Sequence, residues 1–370
     1  MSLEKIAEDP YQQGKDIIPV RLKDVKSPAD LIQKIYGPTC FEARFVYRGA
    51  ELYKRMINEG DTIWLGIAGA GIIGGQGGIV IDLIENGFID AICSTGAQAY
   101  HDLHFAWGLP VKQISPVKVD DNDLRKRGDV RIYDIVIREK ETLLEQDKII
   151  RQFVRECKDV LCDKEISTAD FLNVLGNYVL DKAPHPELSY IATAAKYEVP
   201  VFLDSSSNHA IGENIARLTM EGINVQLSHS KDLLLSASIP YNAKQTGFLE
   251  LGGGGPKNFI QTTGPTISQN LEMPFEGADR GIQITLALER DGGLSGCTFA
   301  EAVSWGKYKQ DTPDNLVQIY ADYATVFPLL ATYVIEECKA RKPKRLFGKL
   351  NEFYSKLDRD FKKHQSKKKK

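Results

Sequence analysis

Glu301, Trp305 and Lys307 fall within about two turns of a helix, in the run Glu301-Ala302-Val303-Ser304-Trp305-Gly306-Lys307. Lysine normally keeps its ammonium hydrated, so one set between Trp-Gly and Tyr308 is a candidate nucleophile. A lysine amine attacks only when deprotonated, and desolvation among aromatic rings favours that form. The acids Glu301, Asp291 and Asp322 oppose it unless a cationic substrate engages them. The set suits a polyamine, with carboxylates for the ammonium groups, Trp305 for the methylene chain and a cation-π contact, and Lys307 for an imine. A plainer reading is a lysine paired with Glu301 on an exposed helix face.

Glycine turns supply a second kind of chemistry. The apolar run Thr62 to Ala68 opens into Gly69-Ala70-Gly71-Ile72-Ile73-Gly74, a G-x-G-x-x-G after a predicted strand and before a predicted helix. Backbone amides there approach a pyrophosphate, or the glycines serve close packing of helix on strand. A dinucleotide fingerprint also wants an acid about 20 residues on. The next strand instead ends Cys93-Ser94-Thr95-Gly96, which disfavours an ordinary dehydrogenase and leaves a non-standard dinucleotide site. Gly252 to Gly255 forms a second glycine turn, open to a ligand or simply flexible. His101 and His104 straddle Asp102; with no third ligand in view, a polar substrate contact or a surface pair is preferred and no metal is expected.

The elements that must position these residues follow from periodicity. A helix is predicted over 41–57, and others over 168–180, 186–196 and 324–339. Apolar runs predict strands at 62–68, 88–93, 199–204, 247–251, 281–288 and 317–322. Strands alternating with helices give an α/β fold, Rossmann-like and doubly wound, with a mostly parallel sheet covered by helices on both faces. The carboxyl ends of such strands converge on one edge. Ala68-Gly69, Ser94 to Gly96, Asp204 to Asn208, Gly252 to Gly255, Asp291 and Asp322 are therefore expected to line one cleft. Residues 1–27 read as an N-terminal arm, with Ser27-Pro28 opening a short helix. Residues 28–345 read as a single domain, 122–148 as a charge-rich external stretch, and 346–370 as a basic, disordered tail.

Bulk properties exclude several classes. The chain has 370 residues, 42% hydrophobic and 26% charged, with a formal net charge of -3, which calls for neither nucleic acid nor an anionic membrane. Its six cysteines form no C-x-x-C pair and no disulfide framework. No run approaches the roughly 18 apolar residues of a membrane span, and Met1 to Lys5 does not resemble a signal peptide. A cytoplasmic protein is expected.

At Glu301 to Lys307 the sequence resembles the deoxyhypusine synthase family, whose signature this run matches. Tyr320-Ala321-Asp322 with Val326-Phe327-Pro328-Leu329-Leu330 resembles the family's closing strand and helix, and the likeness extends more thinly over about 40–340. The resemblance implies one Rossmann-like domain, a homotetramer built as a dimer of dimers, and NAD held at subunit interfaces. It implies a transferase that oxidises spermidine with NAD, forms an imine on Lys307, passes the aminobutyl group to an acceptor amine and reduces the product imine with the same NADH. The acceptor is a lysine of the hypusine-bearing translation factor or, in relatives, putrescine, giving homospermidine.

By the same resemblance Lys307 is the catalytic residue. Substrate contacts fall to His101, Glu213, Asn258, Asp291, Gly292, Glu301 and Trp305. Cofactor contacts fall to Gly69, Ala70, Gly71, Thr95, Gly96, Asn208, Gly253, Leu286, Ala287 and Asp322. Departures concentrate in the pocket. Tyr100-His101 replaces a glutamate pair, Asn258 a histidine, Leu294 and Asn208 aspartates, and Ala68-Gly69-Ala70 a Thr-Ser-Asn turn. Losing acids implies a smaller or less cationic amine, or a changed acceptor. The alternative is a silent NAD-binding paralogue acting as a structural or regulatory subunit.

Overall fold

From Thr62 to Ile67 the first apolar run is buried throughout, because it lies mid-sheet with helices on both sides. In the computed structural model, which describes residues 15–309 and 314–368, it forms β1 (Thr62–Ile67). This strand pairs in parallel with β2 (Ala91–Ser94) and with β9 (Thr246–Leu251). Outside them lie β7 (Val201–Leu203), β10 (Arg280–Thr285) and β11 (Leu316–Tyr320). The sheet has six strands in the order β11-β10-β9-β1-β2-β7, and every pairing is parallel.

Successive side chains of β1 leave opposite faces. Ile63, Leu65 and Ile67 join one core with α1 (Glu42–Glu59), α2 (Gly77–Glu85), α6 (Tyr190–Tyr197) and α11 (Tyr323–Glu337). Trp64 points the other way, into a core built with α8 (His229–Asn242), α9 (Gly254–Pro265) and α10 (Phe299–Ser304). Below the sheet, Arg280 of β10 reaches Asp61 at the end of α1 with contacts of 2.8 and 2.9 Å, and also pairs with Glu59.

The chain winds outward from β1 through β2 to β7, then returns to β9 on the other side and continues to β11. The reversal between β1 and β9 is the switch point at which open α/β sheets bind ligands. Between β2 and β7 come α3 (Gly96–Ala106), α4 (Glu145–Glu156) and α5 (Thr168–Lys182), and after β7 comes α7 (Ala210–Met220). The charge-rich stretch is more ordered than its composition suggests: β3 (Val111–Gln113), β4 (Asp129–Ile132) and β5 (Ile135–Arg138) form a small antiparallel sheet. A short parallel pair, β6 (Glu165–Ile166) and β8 (Gln226–Leu227), completes the strands.

Three expectations change. The strand expected over 281–288 stops at Thr285, and Leu286 to Gly293 leave the sheet as the loop that carries site residues. The helix expected over 186–196 divides at Ser189, whose hydroxyl caps α6 by accepting from Ala192 N at 3.0 Å. The tail expected to be disordered forms α12 (Leu350–Lys368). Its Leu350 and Leu357 are buried, with Phe353 and Phe361 packed beside them. Spacings of three and four residues set these on one helical face, against α8, where Tyr241 donates to Asp360 at 3.0 Å. Of the N-terminal arm, residues 1–14 lie outside the described residues. Ser27 caps a turn as expected, accepting from Asp30 N at 3.2 Å.

Candidate active site

Lys307 follows a tight turn after α10. Thr298 caps that helix by accepting from Glu301 N at 3.2 Å, and Gly306 reverses the chain at φ 68°. The Lys307 carbonyl accepts from Ala278 N at 3.0 Å, and an isolated bridge pairs Ala278 with Tyr308. The lysine is thus fixed at its backbone while its side chain enters a cavity of about 610 Å³. Its Nζ donates to Asn258 Oδ1 at 3.1 Å.

Glu301, Trp305, Asp291, Gly292 and Asn258 line the same cavity, so five of the expected substrate residues gather around the expected nucleophile. Trp305 is 55% exposed. The aromatic enclosure expected around Lys307 is therefore not closed within one chain, because α10 ends at Ser304 and leaves the indole on the rim.

Several residues in and behind the cavity lining escaped the sequence reading. Lys257 is 2% exposed, and its Nζ donates to Gln283 Oε1 at 2.7 Å and to the Cys297 carbonyl at 2.6 Å. Burial pushes its pKa down, against the opposing pull of Glu250. Glu250 on β9 is fully buried, and accepts at Oε1 from Tyr308 Oη and Gln261 Nε2, each at 2.8 Å. Its Oε2 and Gln261 Oε1 have no partner among the described residues. Burial raises the Glu250 pKa, with Lys257 and these donors opposing. Glu289, Arg290 and Gln269 also line the cavity. The only signal for Glu250 and Lys257 was a charged residue inside, or just after, an apolar run.

His101 and Glu213 do not line this cavity. His101 lies on α3, where Nδ1 is 3.0 Å from His104 Nε2, and His104 Nδ1 is 2.7 Å from Gln146 Oε1. Burial pushes His101 down to about 4, and burial followed by the His101 ring pushes His104 down to about 3. Both rings are neutral at pH 7 and offer no charge to an ammonium. Between them Asp102 turns inward, accepting from Tyr190 N at 3.0 Å and Ser189 Oγ at 2.5 Å. Burial raises it to about 7, and it serves as a cap for α6. Glu213 is exposed on α7.

The expected cofactor residues do share the carboxyl edge of the sheet, in a divided state. Gly71 N donates to Tyr323 Oη at 2.8 Å, and Ile72 N to Gln98 Oε1 at 2.9 Å. A Cβ on Gly71 would come 2.6 Å from Tyr323 Oη, so packing accounts for that glycine. Those two amides are thus engaged internally. Gly74, Gly75, Gly78 and Gly254 have nothing within 4 Å of an added Cβ, leaving room at the edge for a flat, extended group. Gly253 takes φ 143°, and its loop is braced by Ser295 Oγ, which accepts from Gly254 N at 3.0 Å. Thr95 caps α3, and Asp322 caps α11 by accepting from Ala324 N at 3.0 Å. Asn208 and Leu286 are exposed, with Ala287 half-buried beside Leu286.

The acid missing after β2 has a counterpart one strand outward. Asp204 closes β7, and its Oδ1 has no partner among the described residues. Its Oδ2 lies 1.9 Å from where a Gly255 Cβ would sit, at the first turn of α9. Burial raises it to about 6. Among the described residues no group of three His, Cys, Asp or Glu side chains is placed to hold a metal ion.

The Lys307 cavity lies at the carboxyl edge of a doubly wound sheet. The family profile of deoxyhypusine synthase matches residues 30–334. The chain belongs to the deoxyhypusine synthase family. It is 35% identical over 359 residues to a "Deoxyhypusine synthase-like protein" of Nostoc punctiforme, covering 95% of this chain and 90% of that one. To the "Probable deoxyhypusine synthase 2" of Methanosarcina acetivorans it is 32% identical over 315 residues, covering 85% and 88%. A crystal structure from Entamoeba histolytica, described as that of "a putative deoxyhypusine synthase", superposes with a TM-score of 0.57 at 16% identity, over 88% of this chain and 99% of that one. At that identity the likeness speaks for the fold. The region shared with the deoxyhypusine synthase family holds every expected site residue and stops short of α12. No helix among the described residues is long and apolar enough to cross a membrane.

Proposed function

We propose that this family member is an NAD-dependent aminoalkyl transferase in which Lys307 carries the transferred group as an imine. The observation behind the proposal is Lys307 Nζ, fixed by Asn258 inside a cavity that also presents Asp291, Glu301 and Trp305. Family membership supports group transfer generally.

NAD, when bound, supplies the hydride acceptor that activates the amine and the donor that reduces the product. Gly69, Ala70, Thr95, Asn208, Gly253, Leu286, Ala287 and Asp322 would hold it along the sheet edge. Asp204 would add the hydroxyl-accepting carboxylate missing after β2. The open flanks of Gly74, Gly75, Gly78 and Gly254 fit such a group, while the engaged amides of Gly71 and Ile72 leave its pyrophosphate to other donors.

The chain's own residues do the rest. Carboxylates of Asp291 and Glu301 hold substrate ammonium groups, and Trp305 covers the methylene chain. Asn258 Oδ1 aims the lysine amine. That amine attacks the activated carbon, releases the donor's remaining amine, and gives up the aminoalkyl group when an acceptor amine attacks in turn. With spermidine as donor, the four-carbon group moves and 1,3-diaminopropane leaves. The acceptor is a protein lysine, as on a translation factor, or a small amine such as putrescine. The exposed Trp305 rim supports a second subunit closing the cavity, as a homotetramer of paired dimers would, in the cytoplasm. The engaged amides of Gly71 and Ile72 favour, as a second reading, a silent structural or regulatory subunit.

The test is to incubate protein, NAD and spermidine or putrescine with borohydride and to weigh the peptide containing Lys307. The expected result is an adduct of the aminobutyl mass that is lost in Lys307→Arg. Absence of any adduct, where a family member of known activity gives one, discards the proposal in favour of the silent subunit.

A further inference from the structure

A pocket built only to hold a polyamine should carry net negative charge. This one is lined by the cations Lys257, Arg290 and Lys307 and by the carboxylates Glu289, Asp291 and Glu301, three against three. Nor are the cations equally free. Lys257 is committed to Gln283 Oε1 and the Cys297 carbonyl. Lys307 is held by Asn258 and, on the reading above, becomes an imine.

That leaves Arg290. Both its sequence neighbours are acids, yet neither pairs with it. Glu289 accepts from Tyr320 Oη at 3.2 Å, and Asp291 Oδ1 accepts from Gly293 N at 2.9 Å. Among the described residues no hydrogen bond, ion pair or ring contact engages the Arg290 guanidinium. An unpaired guanidinium beside a cavity is a fork for a carboxylate, which it meets through two parallel N–H···O bonds. Leu294, which lines the same cavity four residues further on, is 51% exposed, an apolar side chain where the family resemblance expects an aspartate. One group suited to gripping an ammonium is thus absent, and one suited to gripping an anion is present.

We propose that the Lys307 cavity takes a zwitterionic amine, an amino acid with a second amino group, whose carboxylate is bound by Arg290. The proposal deepens the transferase reading, on which it rests for the role of Lys307. It assigns the amine end of the ligand to Glu301 and Asp291 and the acid end to Arg290. The ligand's own charges then match the lining, whereas a dication would leave the guanidinium facing like charge.

Ornithine and putrescine differ by one carboxylate, as do lysine and cadaverine, so the two pairs isolate the inference. Titration calorimetry on the full chain with NAD present should show the amino acid of each pair binding tighter by about tenfold or more, as one charge-assisted contact provides. In Arg290→Gln the two members of each pair should come within about twofold, and Arg290→Lys, a point charge without the fork, should keep part of the preference. Equal or tighter binding of the diamines, no binding of any of the four, or a preference unchanged in Arg290→Gln would overturn the proposal. The borohydride adduct, sought with spermidine and with ornithine, is scored separately. An adduct without an Arg290-dependent preference discards the zwitterion alone, whereas a preference without an adduct discards the transfer chemistry and keeps the subsite.

Discussion

Tyr308→Phe removes one oxygen from the most completely buried part of the site. The tyrosine ring is 2% exposed, between Phe248 at 5.6 Å and Phe299 at 5.2 Å between centroids. Phenylalanine keeps that packing. What goes is one of the two donors to Glu250 Oε1, while Oε2 already lacks one. A hydrogen bond to a charged group is worth about 1.5–3 kcal/mol, and one between neutral groups about 0.5–1.5 kcal/mol. The loss should therefore depend on whether Glu250 is ionised. Burial raises the folded pKa of Glu250 above its unfolded value, so the folded state holds the proton more tightly. The stability from this group is then fully present below the unfolded pKa and fades as pH rises through the folded pKa. Removing the Tyr308 hydroxyl withdraws a donor from the carboxylate, raises the folded pKa further and carries that loss on to higher pH. The substitution should cost about 2 kcal/mol at an alkaline pH that ionises Glu250 and about 1 kcal/mol at an acid pH that protonates it. Scaling the unfolding entropy to this chain length, that corresponds to a drop in melting temperature of about 2–4 °C at the alkaline pH and about half as much at the acid one. Scanning calorimetry at fixed protein concentration reads both. In Glu250→Gln the cost of Tyr308→Phe should become the same at both pH values. A pH-dependent cost that survives in Glu250→Gln would show that another group titrates, and a cost equal at both pH values in the parent chain would refute the reasoning outright.

Other perturbations probe the frame. Leu357→Ala, at a position 1% exposed, should destabilise by about 2–5 kcal/mol, and truncation after Arg345 should expose the α8 face and lower solubility. Tyr323→Phe leaves Gly71 N and the Ala68 carbonyl without their 2.8 Å partner. It should cost about 1–3 kcal/mol in thermal unfolding, and should tighten NAD if the freed Gly71 amide then meets a phosphate. Arg280→Met strips Asp61 of its ion pair at a site 0% exposed. A loss of about 3–5 kcal/mol is expected, recovered in large part by pairing it with Asp61→Leu.

How much of this was legible in the chain depends on the range over which each feature is encoded. β1 and its glycine turn could be read because a strand buried on both faces writes an unbroken apolar run, and the turn follows at once. The lining of the Lys307 cavity from Asp291 to Trp305 was legible because it is local, one loop and one short helix. Asp204 lay in plain view at the end of a predicted strand. Its place one strand outside β2, against the first turn of α9, depends on strand order, which periodicity does not encode. The final helix was missed because the run of lysines masks Leu350, Phe353, Leu357 and Phe361, whose spacing alone marks the buried stripe.

The same distinction explains why the candidate nucleophile was easier to find than its substrate. Lys307 needs a rigid mount, which a short signature provides: a capped helix, the Gly306 reversal and the bridge from Tyr308 to Ala278. Substrate choice instead depends on a balance of charges drawn from β9, α9, α10 and the loop after β10, separated by tens of residues. Single exchanges shift that balance without disturbing the mount. Arg290 sits on that loop and Leu294 directly after it, both outside the sheet, where replacement costs the fold little. A family that keeps the lysine mount and varies this loop can therefore retain one covalent step while changing the amine it serves. In such a pocket, the unpaired guanidinium of Arg290 is stronger evidence about the ligand than the lysine beside it.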